Sequence, residues 1–260
     1  MWRALKYVEH LFHRRHIQGR HIHSPYLFEF VHHVIFNAAK VTLPASIREL
    51  HRQLRDDQTV IAAGEQGAQS VVDPSGSRTV SSFVRGSSVS VKYGAMLHRI
   101  THWFKPEVIL ELGTGLGISS VYLASGSPGT TMVTIEGNQK RAEFAAEVIK
   151  RCGLKGVKVL CGDLDEKLVA VLPEMKGRFV AFLDGNHRYE PTMDYIKKIL
   201  PAAGEEALII MDDIYWSKEM YRAWREIISW PEIRVSIDLY HMGILLLRRD
   251  LNKAKMKIRF

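Results

Sequence analysis

Residues 107–117 read Glu-Val-Ile-Leu-Glu-Leu-Gly-Thr-Gly-Leu-Gly, an apolar segment followed by closely spaced glycines. An apolar run, Val108–Leu112, is interrupted by the acid Glu111 and leads directly into glycines at 113, 115 and 117. An amphipathic stretch, 118–124, follows. Because glycine has no side chain, a ligand can approach the backbone N–H groups of such a turn. The pattern predicts a buried strand, a tight turn and the start of a helix at a ligand-binding edge.

Two cofactor classes use a turn of this kind. A dinucleotide fingerprint, G-x-G-x-x-G, would need glycine at position 118, which is Ile118. An NAD-binding oxidoreductase is therefore the less favoured alternative. The observed G-x-G-x-G after an acidic residue resembles the first motif of class I S-adenosylmethionine-dependent methyltransferases. The resemblance implies a cofactor site at Glu111, Gly113, Gly115 and Gly117, and we expect Gly115 to tolerate no side chain.

The resemblance continues downstream of the turn. A second predicted strand, 132–135, ends at Glu136, 23 positions after Gly113. In this fold an acid at that point can accept hydrogen bonds from both ribose hydroxyls. A third predicted strand, 157–160, leads to Asp163, where methyltransferases of this class often place an acid that binds the adenine amino group. The same families place the stretch that begins at Lys92 near S-adenosylmethionine.

The alternation of elements predicts the architecture. Further strands at 179–183 and 207–211 alternate with helices, and two final β-rich runs are too close for a parallel crossover, so they form a hairpin. We therefore expect an α/β fold of the Rossmann-like methyltransferase type: a doubly wound, seven-stranded, mostly parallel sheet with an antiparallel last strand. The expected divisions are a helical extension at 1–60, a flexible loop or linker at 61–90 and a catalytic domain at 91–260.

The helical extension has a clear start signal. Ser24 and Pro25 form a cap and a first-turn proline, and an apolar stripe follows at helical spacing. Together with His23, this segment resembles an uncharacterised subgroup of O-methyltransferase-like proteins, which also share the sequence of 212–217. Members often have Asp-Phe-Gly-Ala-Gly-Ser before the linker, whereas residues 65–70 here read Glu-Gln-Gly-Ala-Gln-Ser. The resemblance therefore implies no role for that loop.

Acidic residues follow the fourth and fifth predicted strands. Asp184-Gly185-Asn186-His187 and Asp212-Asp213 resemble small-molecule O-methyltransferases, in several of which such acids hold a divalent cation. Adjacent strands lie about 4.8 Å apart, so the three carboxylates could converge on Mg²⁺. The alternative is that Asp212 and Asp213 cap the next helix while Asp184 only lines the cofactor cleft. Asp184 and His187 are the candidate catalytic residues, with His187 as general base.

The aromatic residues near these acids have two interpretations. Tyr189, Tyr215 and Trp216 could form a wall for the acceptor or belong to the core. The resemblance implies a hydroxyl of a small or medium-sized molecule as the acceptor. It leaves the substrate open.

Composition and charge restrict the remaining functions. A hydrophobic share of 46% with 25% charged residues is ordinary for a globular enzyme. We expect neither a membrane partner nor a signal peptide, and the two cysteines lack metal or redox spacing, which favours a reduced cytoplasmic protein. The net charge is +8, with six basic residues in 248–260. Several histidines lie near the N-terminus, among them His10, His13, His16, His21 and His23. A nucleic-acid-binding protein or RNA methyltransferase is thus a second hypothesis, and a homodimer stays an open alternative.

Overall fold

Two sheets are present in the computed structural model, which describes residues 2–12, 22–37, 39–61 and 78–260. Strands β1 and β2 form a small antiparallel pair, and the other strands form one eight-stranded sheet. The strands are β1 Val60–Ile61, β2 Arg78–Thr79, β3 Val108–Leu112, β4 Thr131–Glu136, β5 Val157–Cys161, β6 Phe179–Leu183, β7 Ala207–Asp212, β8 Val235–Asp238, β9 Met242–Leu246 and β10 Ala254–Lys257. The order across the large sheet is β10-β8-β9-β7-β6-β3-β4-β5.

Helices cover both faces of the large sheet. They are α1 Trp2–Phe12, α2 Pro25–Phe30, α3 Ala45–Asp56, α4 Val80–Ser87, α5 Val91–Phe104, α6 Ile118–Gly126, α7 Gln139–Arg151, α8 Leu164–Val171, α9 Tyr189–Ala202 and α10 Lys218–Ile227, with a π-helical turn at Val31–Ile35 and a 3₁₀ turn at Leu172–Glu174. Successive residues of β3 enter different cores: Ile109 packs into one cluster and Leu110 into the other. Two-sided burial explains why this strand is an almost continuous apolar run.

The predicted fold class is confirmed, with one correction in strand number. The sheet has eight strands rather than seven, because the basic C-terminal segment adds β10 beside β8. The hairpin of β8 and β9 is as predicted, and β9 is antiparallel to both of its neighbours. It is the last strand but one, however, since β10 follows it in the chain and runs parallel to β8. Met256 and Ile258 are buried, which ties this segment to the core.

The N-terminal helices share the core of the sheet. The apolar stripe after Pro25 is buried in the same cluster as β3, and Ser24 caps α2 through a 3.4 Å bond from the Leu27 amide. The stripe comprises Leu27, Phe30, Val31, Val34 and Ile35. None of the helices in the described part of the chain is long and apolar enough to cross a membrane.

The segment expected to be a loop contains regular structure where it is described. Residues 78–87 form β2 and α4, and the hydroxyl of Thr79 caps α4 by accepting from Ser82 N. Residues 62–77, which include the variant 65–70 sequence, lie outside the described residues. The same applies to three of the N-terminal histidines, at positions 13, 16 and 21.

Candidate active site

The glycine turn lies at the carboxyl end of β3, between the neighbouring strands β4 and β6. Gly113 has φ +95°, and its N–H donates to Ile135 O at 2.9 Å. A Cβ on Gly113 would lie 2.5 Å from the backbone oxygen of Asp184. Gly117, with φ +81°, is the N-cap of α6. The turn therefore needs glycine for backbone conformation and, at Gly113, for close packing against the end of β6.

The tightest position is not the one expected from the sequence. A Cβ on Gly115 would be 3.6 Å from the ring of Phe83, an ordinary contact distance, although its φ of +56° still favours glycine. Within the protein itself, a methyl group therefore fits at Gly115 and does not fit at Gly113. Phe83 belongs to α4, so an element N-terminal to the sheet covers the turn.

Glu136 ends β4 and is tied to the glycine turn. Its Oε2 accepts the N–H of Gly115 at 2.9 Å, and its Oε1 accepts the N–H of Asn138 at 2.9 Å. The guanidinium of Arg141 lies 3.1 Å from Oε1. Only 4% of Glu136 is exposed, so these contacts hold the carboxylate in one place at the sheet edge. This is the position expected for an acid that accepts ribose hydroxyls.

Glu111 is a fully buried acid in the middle of β3. It accepts hydrogen bonds from the hydroxyls of Ser120 and Thr134, the latter at 2.6 Å. Burial raises the pKa of Glu111 to about 7, and the hydroxyl groups oppose that rise. Its contacts tie β3 to β4 and α6 directly beneath the glycine turn.

The other two candidate cofactor residues lie at opposite sides of the sheet. Asp163 is exposed and caps α8, with Oδ1 accepting from the amides of Asp165 and Glu166 at 2.9 and 3.1 Å. Lys92 is at the start of α5, with its ammonium 4.2 Å from the ring centroid of Phe260. The geometry therefore brings Glu136 to the glycine turn, and it places Lys92 with the C-terminal segment.

Asp184 and Asp212 come together at the carboxyl ends of β6 and β7. Their carboxyl groups lie close enough to interact with each other directly. Burial, followed by the negative charges of Asp212 and Asp213, raises the pKa of Asp184 well above its usual range. Burial and the Asp213 charge raise the pKa of Asp212 to about 8. The pair therefore holds a proton at neutral pH. The side chain of Asp184 is 18% exposed, so a ligand can reach it.

The expected three-carboxylate cluster is not assembled. Within the described ranges, no group of three or more His, Cys, Asp or Glu side chains is arranged to hold a metal ion. Asp213 follows the pair with φ +53°, a left-handed conformation that turns the chain after β7. The carboxyl groups of Asp184 and Asp212 therefore lie side by side, and Asp213 acts on them through its charge.

His187 lies beside the carboxyl pair. Its Nε2 is 3.7 Å from Oδ1 of Asp184, too far for a hydrogen bond. Burial lowers the pKa of His187, while the Asp213 charge acts in the opposite direction. A pKa below the usual value leaves the ring neutral at neutral pH, and a neutral ring can accept a proton.

Of the three aromatic residues considered for this site, Trp216 is exposed, Tyr189 is half-buried and Tyr215 is buried. Trp216 is 48% exposed, and its ring centroid lies 6.3 Å from that of His187. Tyr215 is buried and donates to Asp238 Oδ2 at 2.7 Å. Tyr189 donates to Glu226 at 2.5 Å. Trp216 is therefore the aromatic surface that an acceptor could contact.

Two residues of the cofactor side had no sequence signal. Phe83 covers Gly115, and the guanidinium of Arg141 lies 5.8 Å from the Phe83 ring as well as on Glu136. Phe83 belongs to a segment expected to be a linker, and a single arginine in the first turn of α7 resembles any surface cation. Only the tertiary contacts identify them.

Comparison with known proteins shows which protein family this part of the chain resembles. Residues 110–214 match a family model described as a methyltransferase domain. This region is therefore similar to a methyltransferase domain. A catechol O-methyltransferase of Niastella koreensis is 29% identical over 130 residues, which is 49% of this chain and 58% of the relative. The chain thus spans little more than half the length of that curated relative.

Solved structures of O-methyltransferases have a fold similar to that of this chain. A Bacillus cereus O-methyltransferase in complex with S-adenosylhomocysteine has a TM-score of 0.58 at 19% identity, covering 82% of this chain and 95% of its own. A Podospora anserina methyltransferase, bound to the same compound, has a TM-score of 0.61 at 18% identity, covering 86% and 98%. At this level of identity the likeness establishes the fold. The glycine turn, Glu136 and the Asp184–Asp212 pair all lie inside the matched residues 110–214, whereas α1, α4 and Lys92 lie outside them.

Proposed function

We propose that this chain is an S-adenosylmethionine-dependent methyltransferase that methylates a hydroxyl group of a small or medium-sized molecule. The observation that carries the proposal is the hydrogen bond between the glycine turn and Glu136, at one end of an edge that also holds the Asp184–Asp212 pair. The methyltransferase-domain match and the name of the catechol O-methyltransferase relative support it.

The cofactor side fits S-adenosylmethionine. Gly113 and Gly115 leave the turn without side chains, and the buried carboxylate of Glu136 is suited to accept two ribose hydroxyls. Ile118 stands where a dinucleotide fingerprint requires glycine. When bound, the cofactor supplies an electrophilic methyl group on a sulfonium sulfur.

On the acceptor side, neutral His187 would be the general base that removes a proton from the acceptor hydroxyl. The methyl carbon leaves sulfur and bonds to the acceptor oxygen, the proton goes to His187, and S-adenosylhomocysteine remains. Asp184 and Asp212 lie within the same group of side chains, where they can bind and orient the acceptor's oxygens. Holding the acceptor in line with the transferred methyl group lowers the entropic part of the barrier.

Mg²⁺ is the ion that the carboxyl pair would hold. Hard carboxylate oxygens suit this cation, and the two side chains would leave its other positions to water and acceptor oxygens. A bound cation would lower the pKa of an acceptor hydroxyl. Its ligands from the chain would be Asp184 and Asp212, with Asp213 as a nearby charge.

Methyl transfer from S-adenosylmethionine with a deuterated methyl group tests this function. The chain is incubated with catechol and other hydroxyl compounds, with and without Mg²⁺, and products are identified by mass spectrometry. We expect a singly methylated ether and an equal amount of S-adenosylhomocysteine. Labelled methyl groups on amines or thiols alone would contradict hydroxyl transfer.

A further inference from the structure

Helix α1 lies against the acceptor side of the site and is held there by several contacts. Tyr240 donates its hydroxyl to the backbone oxygen of Arg3 at 2.8 Å. The ring of Tyr7 packs edge-on against Tyr240, with centroids 4.9 Å apart. One turn further, His10 is buried, and its Nε2 lies 3.2 Å from Ile258 O. These contacts fix the position of the helix and hold the Arg3 backbone beside Tyr240.

Arg3 is connected to the reaction centre by side-chain contacts. Its guanidinium carbon lies 4.5 Å from the ring centroid of Trp216. Trp216 is tilted against His187 at 6.3 Å, and His187 lies 3.7 Å from Asp184. The side chains of Trp216 and His187 thus lie between the Arg3 cation and the carboxyl pair. An acceptor whose hydroxyl lies at Asp184 would extend along Trp216 toward Arg3.

Arg3 and Lys92 bring positive charge to the α1 side of the site, where the negative charge of Asp213 also acts. Neither Arg3 nor Lys92 forms an ion pair with a carboxylate in the part of the chain that the structure describes. Burial lowers the pKa of His241, the Asp213 charge opposes that change, and the charges of Arg3, His10 and Lys92 lower the pKa further. His241 also contacts Tyr93, with ring centroids 5.5 Å apart. Two cations, the Asp213 carboxylate and several aromatic rings therefore lie on the α1 side of the site.

We infer that Arg3 binds a negatively charged group of the acceptor, and that the substrates are aromatic hydroxy acids whose ring lies on Trp216. This rests on the proposed function and adds the substrate class to it. The exposed face of Trp216 supplies an aromatic contact surface, and a guanidinium is a strong partner for a carboxylate. The methyl group still passes from sulfur to the acceptor oxygen, and the proton still goes to His187. Arg3 takes no part in those bond changes and determines specificity.

A matched pair of acceptors tests the inference. 3,4-Dihydroxycinnamate carries a carboxylate where 3,4-dihydroxycinnamyl alcohol carries a hydroxymethyl group, and the rest of the molecule is the same. Binding of each is measured by isothermal titration to chain saturated with S-adenosylhomocysteine, so that no turnover is needed. We expect the carboxylate to bind at least about ten-fold more tightly, as one charge-assisted contact predicts. The variant Arg3→Ala should remove that preference without changing binding of the alcohol.

Lys6→Ala is the control on the same helix, because the Lys6 ammonium lies 5.2 Å from the Tyr221 ring and pairs with Glu9. It should leave the preference for the carboxylate intact, and Arg3→Lys should retain part of it. Equal binding of the two compounds, binding of neither, or equal losses in Arg3→Ala and Lys6→Ala would each overturn the inference. Failure of S-adenosylhomocysteine itself to bind would instead overturn the proposed function.

Discussion

The backbone N–H of Gly115 donates a 2.9 Å hydrogen bond to Oε2 of Glu136, which lies 21 positions further along the chain. This bond joins the turn after β3 to the end of β4. The Arg141 guanidinium, 3.1 Å from the other carboxylate oxygen, holds Glu136 from the opposite side. The acid is therefore oriented by the protein itself, and a ligand that binds there does not have to order it.

Replacing Glu136 with Gln should weaken S-adenosylhomocysteine binding about ten- to hundred-fold, because hydrogen bonds to a charged acceptor contribute about 1.5–3 kcal/mol. Isothermal titration measures the loss, and thermal unfolding shows whether the variant folds. Glu143→Gln is the control, since Glu143 lies on α7 and pairs with exposed Lys140. Equal affinity in the Glu136 variant and the control would show that Glu136 does not bind the ribose.

Gly113→Ala should reduce stability by at least about 3 kcal/mol, because the new methyl group would overlap the backbone of Asp184. Gly129→Ala is the matched comparison. Gly129 also has a positive φ, +87°, but a Cβ added there would have no other atom within 4 Å. It should lose only about 1 kcal/mol from the strained conformation. Chemical denaturation of both variants gives the difference, and equal losses would refute the packing explanation.

The sheet could be predicted largely from local sequence. The run Val108–Leu112 coincides with β3, and 179–183 coincides with β6, because strands buried on both faces are continuously apolar. The final strand was not predicted. In β10, lysines alternate with Ala254 and Met256, and this pattern is indistinguishable from a basic tail until β8 provides a partner.

The candidate site was predictable only where it depends on strand order. Asp184 and Asp212 follow neighbouring strands, so their contact could be expected from the topology. Asp213 was expected as a third ligand, but its left-handed backbone conformation is not encoded in a recognisable local pattern. Contacts of Arg3 and Phe83 join segments far apart in the chain, and neither has a local signal.

Glu111 predicts a pH-dependent stability. Its pKa is about 7 in the folded chain and 4.5 in the unfolded reference, so folding favours the neutral form. This contribution is fully present below pH 4.5 and is lost as the pH rises to 7, a change of about 3 kcal/mol. Glu111→Gln stays neutral throughout. Relative to wild type, its free energy of unfolding should rise by that amount between pH 4.5 and 8, and a constant difference in denaturation experiments would contradict the assignment.

Mg²⁺ affinity should increase with pH. The Asp184–Asp212 pair holds a proton below the Asp212 pKa of about 8, and a bound cation must displace it. We expect binding at pH 6.5 to be at least about ten-fold weaker than at pH 8.5, because each pH unit below the pKa costs about ten-fold for one displaced proton. Isothermal titration at both pH values measures this, with Asp184→Asn as the variant that loses the site. Absence of binding at pH 8.5 would remove Mg²⁺ from the proposed reaction.

Titration of the wild-type chain with S-adenosylhomocysteine is the direct test of the proposed S-adenosylmethionine site. We expect saturable binding with one molecule per chain, and no comparable binding of NADH under the same conditions. Failure of S-adenosylhomocysteine to bind, or tighter binding of NADH, would contradict a cofactor site formed by the glycine turn and Glu136.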